Sequence, residues 1–263
     1  MTTIPSLAIA QFAPGYDRAA NRATVRSMAT DAAQRGATLV VFPEYSSYFS
    51  TNMGPDWVDA AEKIDGDFAS NLSDLARELG VHIVAGMLEH ATEPAKASNT
   101  VLAFAPDGEL EATYRKIHLF DAFGELESEW IVPGPIEAPE TFAWGGVTVG
   151  IQTCYDIRFP EVSRRLVDAG VELMLVPSEW VSGPQKIEQW RTLVAARAIE
   201  NTVYIAAPDQ SSPSGVGNSV IVDPMGIELA TIVDGEGIAL AEISAARVAE
   251  VRKTNPALQL RRL

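Results

Sequence analysis

Val147-Thr148-Val149-Gly150-Ile151-Gln152-Thr153-Cys154-Tyr155-Asp156-Ile157-Arg158-Phe159-Pro160-Glu161 reads as a buried strand, a sharp turn and the start of a helix. The apolar run Val147–Gln152 has the length of a strand. Asp156 and Pro160 are residues that open helices, and the helix is expected over Arg158–Ala169. The same alternation extends outward in both directions. Toward the N-terminus come strands at Leu7–Phe12, Thr38–Phe42 and His82–Met87. Helices at Arg18–Arg35 and Phe68–Leu79 end at Gly36 and Gly80. Pro106-Asp107-Gly108 is a turn that folds Asn99–Ala105 against Glu109–Tyr114 as a hairpin. Toward the C-terminus come a strand at Glu172–Val176, a helix at Gln185–Glu200 and a strand at Val203–Ala207. Short strands follow at Val216–Val222, Glu228–Ile232 and Gly237–Glu242. Strands joined both by helices and by hairpins predict an α/β fold with a mixed sheet, or a pair of sheets, covered by helices.

No Pro-, Gly- or Ser-rich linker divides the 263 residues, so one domain is expected over 1–263. Its core should run over about 6–245, and 254–263 reads as a tail. With 47% apolar and 21% charged residues the composition is that of a globular chain with ample core material. Acidic residues exceed basic ones by fifteen, and no basic stripe offsets them, which argues against nucleic acid or an anionic membrane as partner. No apolar run reaches the length of about 20 residues that spans a bilayer. Met1-Thr2-Thr3-Ile4-Pro5 has neither the basic stretch nor the apolar core of a secretory signal, so the cytoplasm is the expected location. The single cysteine excludes an intramolecular disulfide and a Cys-rich zinc site.

Three residues follow strands and are expected to converge at the carboxyl ends of a sheet: Glu44, Lys116 and Cys154. A lone Cys is ordinarily a small buried hydrophobe. Cys154 instead lies between a strand and a helix start, where the helix dipole would lower its pKa and the turned backbone, with the Tyr155 N–H, would face a developing oxyanion. That context favours a nucleophile. Its base would be either His118, two residues after Lys116, or Glu44, whose burial would raise its pKa toward neutrality. On the plainer reading Glu44 is a capping carboxylate and Lys116 a surface cation. Near a thiol, Lys116 would stabilise an oxyanion and hold Glu44. Zinc-protease, phosphate-loop, serine-elbow and dinucleotide motifs are absent.

Phe42-Pro43-Glu44, Tyr114-Arg115-Lys116-Ile117-His118-Leu119-Phe120 and Cys154-Tyr155-Asp156-Ile157-Arg158-Phe159-Pro160-Glu161, in that order, closely resemble the motifs of the nitrilase (carbon–nitrogen hydrolase) superfamily. Ala196–Asn201 and Asn218–Gly226 extend the resemblance to about residue 245. It implies an α-β-β-α sandwich, commonly paired as a dimer, with no metal or organic cofactor. It further implies Cys154 as nucleophile, Glu44 as general base and Lys116 as the cation at the tetrahedral intermediate. Glu127 is the best match for a second glutamate, with Glu125 and Glu129 as neighbouring alternatives. Cys-Tyr-Asp-x-Arg-Phe looks like the amidase branch, which includes ω-amidase and deaminated-glutathione amidase types. The expected substrate is then a small amide. N-carbamoyl amino acid or nitrile hydrolysis, or a non-catalytic binding role, are the alternatives. Tyr45, Phe120, Trp130, Arg158 and Trp180 are candidate pocket residues. Ser178-Glu179-Trp180 departs from the small or apolar residues expected of the ω-amidase group.

Overall fold

The computed structural model describes residues 4–262. Met1–Thr3, at the start of the N-terminal segment read above, and Leu263, the last residue of the tail, lie outside them. Among the described residues, thirteen strands are laid out in two sheets. The first is built from β1 (Ser6–Gln11), β2 (Leu39–Val41), β3 (His82–His90), β4 (Ala97–Phe104), β5 (Leu110–Arg115), the short β6 (Ile131–Val132) and β13 (Gly237–Glu242). Its order is β13-β1-β2-β3-β4-β5, with β6 beside β4. The second sheet uses β7 (Thr141–Trp144), β8 (Val147–Ile151), β9 (Leu173–Leu175), β10 (Tyr204–Ala207), β11 (Ser219–Val222) and β12 (Glu228–Ile232). These follow the order β12-β11-β10-β9-β8-β7. In each sheet the central strands are parallel (β1-β2-β3 and β8-β9-β10) and antiparallel strands flank them. Both sheets are therefore mixed, as the alternation of helices and hairpins predicts.

Successive side chains along a strand point to opposite faces, and the cores follow that period. Leu7 and Ile9 of β1 pack inward with Leu173 and Leu175 of β9, between the two sheets. Ala8 and Ala10 face outward against α1 (Arg18–Gln34) and α3 (Asp67–Leu79), where Val25, Ala29, Phe68 and Leu72 cover them. On the second sheet Met174 and Ile205 face outward against α4 (Pro160–Asp168) and α5 (Lys186–Asn201) through Leu166, Trp190 and Val194. The layers run helix, sheet, sheet, helix in one domain, the α-β-β-α sandwich implied by the resemblance. Among the described residues no helix is long and apolar enough to cross a membrane.

Some elements differ from the sequence reading. The helix expected over Arg158–Ala169 is two pieces: a 3-10 turn at Cys154–Arg158 and α4, which starts at Pro160. Pro160 lacks the N–H and fixes its own φ, so it opens a new helix rather than continuing the turn. The strand expected from Val216 pairs only from Ser219, because Gly217 and Asn218 both have positive φ. Four elements carried too weak a pattern to be read: α2 (Pro55–Ala60), the two-residue β6, β7, and α6 (Ala245–Thr254). In α6 only Val248 and Val251 are buried, so it shows barely one apolar stripe. The tail therefore begins where α6 ends.

Gly86, in the middle of β3, lies directly beneath the segment Pro43–Tyr45. A Cβ there would stand 2.7 Å from the Tyr45 nitrogen and 2.8 Å from the Glu44 Cα. Backbone cannot yield as a flexible side chain does. Gly86→Ala is expected to lower unfolding free energy by about 1–3 kcal/mol, read from denaturant unfolding; an unchanged midpoint would show that the segment has room to move.

Candidate active site

Glu44, Lys116 and Cys154 come from three strand ends. Glu44 follows β2 after Phe42-Pro43, Lys116 is the first residue beyond β5, and Cys154 begins the turn after β8. All three are buried, at 1%, 2% and 5% exposure. Lys116 Nζ donates to Glu44 Oε1 at 2.9 Å and to Glu127 Oε2 at 2.9 Å, so one ammonium lies between two carboxylates. Glu127 sits on a 3-10 turn at Glu127–Glu129. It also accepts from Tyr45 Oη, from the Phe120 N–H and from Asn99 Nδ2. Glu125 and Glu129 are exposed, so of the three adjacent glutamates only Glu127 enters the cluster.

Asn99 on β4 also donates to Glu44 Oε1, at 2.6 Å. The second Glu44 oxygen accepts the Glu179 N–H at 2.7 Å. The carbonyl of the same residue accepts the Cys154 thiol at 3.2 Å. A single residue of the second sheet's loop therefore contacts both the carboxylate and the thiol. The Cys154 N–H is taken by the Pro177 carbonyl at 3.1 Å, whereas the Tyr155 N–H meets no acceptor among the described residues. Cys154 itself has φ 46°, a left-handed conformation that costs a non-glycine residue about 1–3 kcal/mol and is held only by its surroundings.

Asp156, fully buried, supplies much of that hold. Its carboxylate accepts from the Thr153 N–H (3.2 Å), the Tyr114 hydroxyl (2.6 Å) and the His118 N–H (3.0 Å), and contacts His118 Nδ1 at 2.8 Å. His118 stacks on Phe159. The structure thus ties His118 to Asp156 and makes no hydrogen bond between it and Cys154.

The electrostatics correct one expectation. Burial pushes the Cys154 thiol well above its ordinary pKa, and the Glu44 charge adds to this, so the resting group is a thiol rather than a dipole-stabilised thiolate. A one-turn 3-10 helix is too short to oppose that. Burial also raises Glu44, against the pull of Lys116. For Lys116, burial disfavours the ammonium, but Glu127 and Glu44 outweigh it and hold the pKa well above its usual value.

Of the candidate pocket residues, Phe120 and Trp180 line a small cavity at Cys154, together with Tyr155, Glu179, Val181 and Lys186. Glu179 also borders a wider funnel lined by Phe49, Met53, Trp57 and Glu125 among others. Arg158 stacks over Trp180 with its Cζ 4.7 Å from the ring centroid. The structure does not bring Tyr45 or Trp130 to the cavity: Tyr45 packs against Trp57 and hydrogen-bonds Glu127, and the Trp130 carbonyl pairs with Ala97. Asn99 and Lys186 escaped the sequence reading. Asn99 sits inside a strand, and Lys186 opens an amphipathic helix, where a lysine reads as solvent-facing.

The carbon-nitrogen hydrolase sequence profile matches residues 6–253. The chain belongs to the carbon-nitrogen hydrolase family. A Mycobacterium tuberculosis hydrolase is 38% identical over 83% of this chain and 82% of its own. The deaminated glutathione amidase of Escherichia coli O157:H7 is 33% identical over 97% of both chains. Among solved structures, an amidase from a Nesterenkonia species superposes with a TM-score of 0.82 at 27% identity, over 98% of this chain and 96% of that one. This carbon-nitrogen hydrolase is thus an enzyme of the class that acts on non-peptide carbon–nitrogen bonds.

Lys116→Met would leave two carboxylates buried without their cation, at a cost of about 3–5 kcal/mol. The loss should depend on pH. Without Lys116 the Glu44 pKa rises further, so the folded state binds a proton that the unfolded state releases near 4.5. Stability of the variant relative to wild type then falls as pH rises from 5 to 8, measured by urea unfolding across that range. A pH-independent loss would place the cost elsewhere.

Proposed function

We propose that the chain hydrolyses a small non-peptide amide through a thioester on Cys154, releasing ammonia or an amine and a carboxylic acid. The observation that carries this reading is the shared contact at Glu179. Its N–H binds the Glu44 carboxylate and its carbonyl binds the Cys154 thiol, beside a small cavity. The relatives named as amidases support the same chemistry.

In this mechanism Glu44 takes the thiol proton as Cys154 sulfur attacks the amide carbon. Its raised pKa makes it a stronger base than an ordinary carboxylate. The carbonyl electron pair moves to oxygen, where Lys116 and the Tyr155 N–H stabilise it. Protonated Glu44 gives its proton to the departing nitrogen as the carbon–nitrogen bond breaks, and the thioester remains. Water then loses a proton to Glu44 and attacks the thioester. The proton returns to sulfur, the thiol is regenerated and the acid leaves. Glu127 keeps Lys116 charged and in place, and Asn99 steadies the Glu44 carboxylate. No step requires a metal or an organic cofactor. Pairing as a homodimer, supported by the family resemblance, and residence in the cytoplasm are part of the proposal. The excess of fifteen acidic residues supports a small molecule, rather than nucleic acid or membrane, as partner.

Ammonia release from a panel of simple amides, ω-amides, N-carbamoyl amino acids and nitriles tests the reaction. Wild type is expected to act on amides, and Cys154→Ala to lose at least about 10³-fold in rate. Release from the carbamoyl compounds or nitriles alone would redirect the substrate class, and none from a folded protein would refute the enzyme reading. Asn99→Ala removes a donor that favours the ionised Glu44, so the acid limb of its kcat/KM profile should move to higher pH than in wild type. An unmoved limb would mean that another group is the base.

A further inference from the structure

The backbone of Glu179 meets Glu44 and Cys154, but its carboxyl group takes no part in those contacts. The residue is 8% exposed, yet the carboxyl makes no hydrogen bond or ion pair among the described residues. Buried carboxylates are rare without a partner, because desolvation disfavours the charge. Burial accordingly pushes the Glu179 pKa well above the usual carboxylate range, and the charges of Glu44 and Asp209 add to this. Lys116 opposes the shift without reversing it. The site therefore holds an acid that lacks a cation.

Glu179 lines both the small cavity at Cys154 and the wider funnel beside it, so it stands where the two meet. The two spaces differ in sign. Lys186 lines the inner cavity with its Nζ over Phe123, Phe120 and Trp180, and Arg158 stacks on the same Trp180. Among the described residues the funnel wall holds neither Lys nor Arg, and its charged members are Glu179 and the exposed Glu125. Two carboxyl groups facing one space favour a cation within it. Phe49 and Trp57 add aromatic surface, which attracts an organic cation where water is excluded. A simple metal ion would gain little from that surface. An organic ammonium suits it.

We propose that the Glu179 carboxylate binds an ammonium group carried on the acyl chain of the substrate, and so makes the enzyme selective for short amides that bear an amine. This rests on the amidase reading of Cys154. The arriving ammonium supplies the missing partner, the carboxyl gives up its proton to water, and a buried ion pair forms at the neck of the cavity. Glu179 is then a specificity residue whose side chain takes no part in the bond-breaking steps. Its backbone continues to hold Glu44 and Cys154.

The test compares kcat/KM for β-alaninamide and γ-aminobutyramide with that for butyramide and valeramide, in which a methyl group replaces the ammonium. Wild type is expected to prefer the amines. In Glu179→Gln, which keeps the shape and the backbone contacts, the amine-to-neutral ratio should fall by at least about tenfold, mostly through KM, as when one partner of a buried charge pair is removed. Glu179→Asp should restore part of it. A ratio unchanged in Glu179→Gln, or a wild type with no preference for the amines, overturns the inference and leaves the amidase reading intact. Binding of γ-aminobutyramide to Cys154→Ala, followed by calorimetry, gives a readout that needs no turnover. Binding that is lost when Glu179→Gln is added supports the ammonium site even if no amide is hydrolysed, in which case only the amidase reading fails. Binding that Glu179→Gln leaves unchanged overturns the inference. No binding together with no hydrolysis refutes both.

Discussion

A single buried ammonium, that of Lys116, holds two buried carboxylates within hydrogen-bond distance, and the site is arranged to make that tolerable. Removing three charges from water costs several kcal/mol for each ion, and a cluster with two carboxylates and one cation does not neutralise itself. Here each carboxylate oxygen receives at least one donor. Asn99 and Lys116 serve one Glu44 oxygen and the Glu179 N–H serves the other. Tyr45, Asn99, Lys116 and the Phe120 N–H serve Glu127. The donors come from β4, from the loops after β2 and β5, and from the second sheet's loop at Glu179. The cluster can be satisfied only when these segments are all in place, so the geometry of the site and the packing of the two sheets are one problem.

Polar ties across the interface between the sheets show how the packing is held in register. Gln210 Nε2 donates to the Glu44 carbonyl, and the Gln11 side-chain oxygen accepts from both the N–H and the hydroxyl of Ser219. Asp156 does the same for the nucleophile turn, binding Tyr114 and His118 of the first sheet's edge and Thr153 of the second. Apolar packing between the sheets supplies the bulk of the stability but is non-directional. These directional contacts fix which residue faces which, and they allow Cys154 to keep a left-handed backbone that would relax elsewhere.

The layers were legible because strand and helix patterns alternate cleanly, and because the residues following β2, β5 and β8 carry a Glu, a Lys and a Cys in a recognisable order. Those three are local features of the chain. What was hidden depends on contacts between distant segments. Glu127 was the best match by resemblance, with Glu125 and Glu129 left as alternatives, because all three share one short stretch and the turn at Glu127–Glu129 decides which points inward. Asn99 looked like any polar residue of a hairpin, though its partners are 55 and 28 residues away. Lys186 carried a helix-start signature that suggests solvent. Tyr45, read as a pocket wall, points away from the cavity toward Glu127, since its φ of 58° turns the chain there.

The resting state of the nucleophile follows from the same burial that the sequence could not show. A helix start alone suggested a thiolate, yet the thiol is enclosed at 5% exposure and faces the negative charge of Glu44, and both effects hold the proton on sulfur. Burial raises Glu44 as well, so proton donor and acceptor shift in the same direction. Their relative affinities stay closer than either absolute value suggests. A protonated thiol resists oxidation and stray alkylation, because the thiolate is the reactive form. Under the proposed mechanism, charge is separated only as the amide carbon accepts the sulfur and the new oxyanion meets Lys116. The enclosed site therefore keeps its nucleophile unreactive until a substrate supplies the atom on which negative charge can rest.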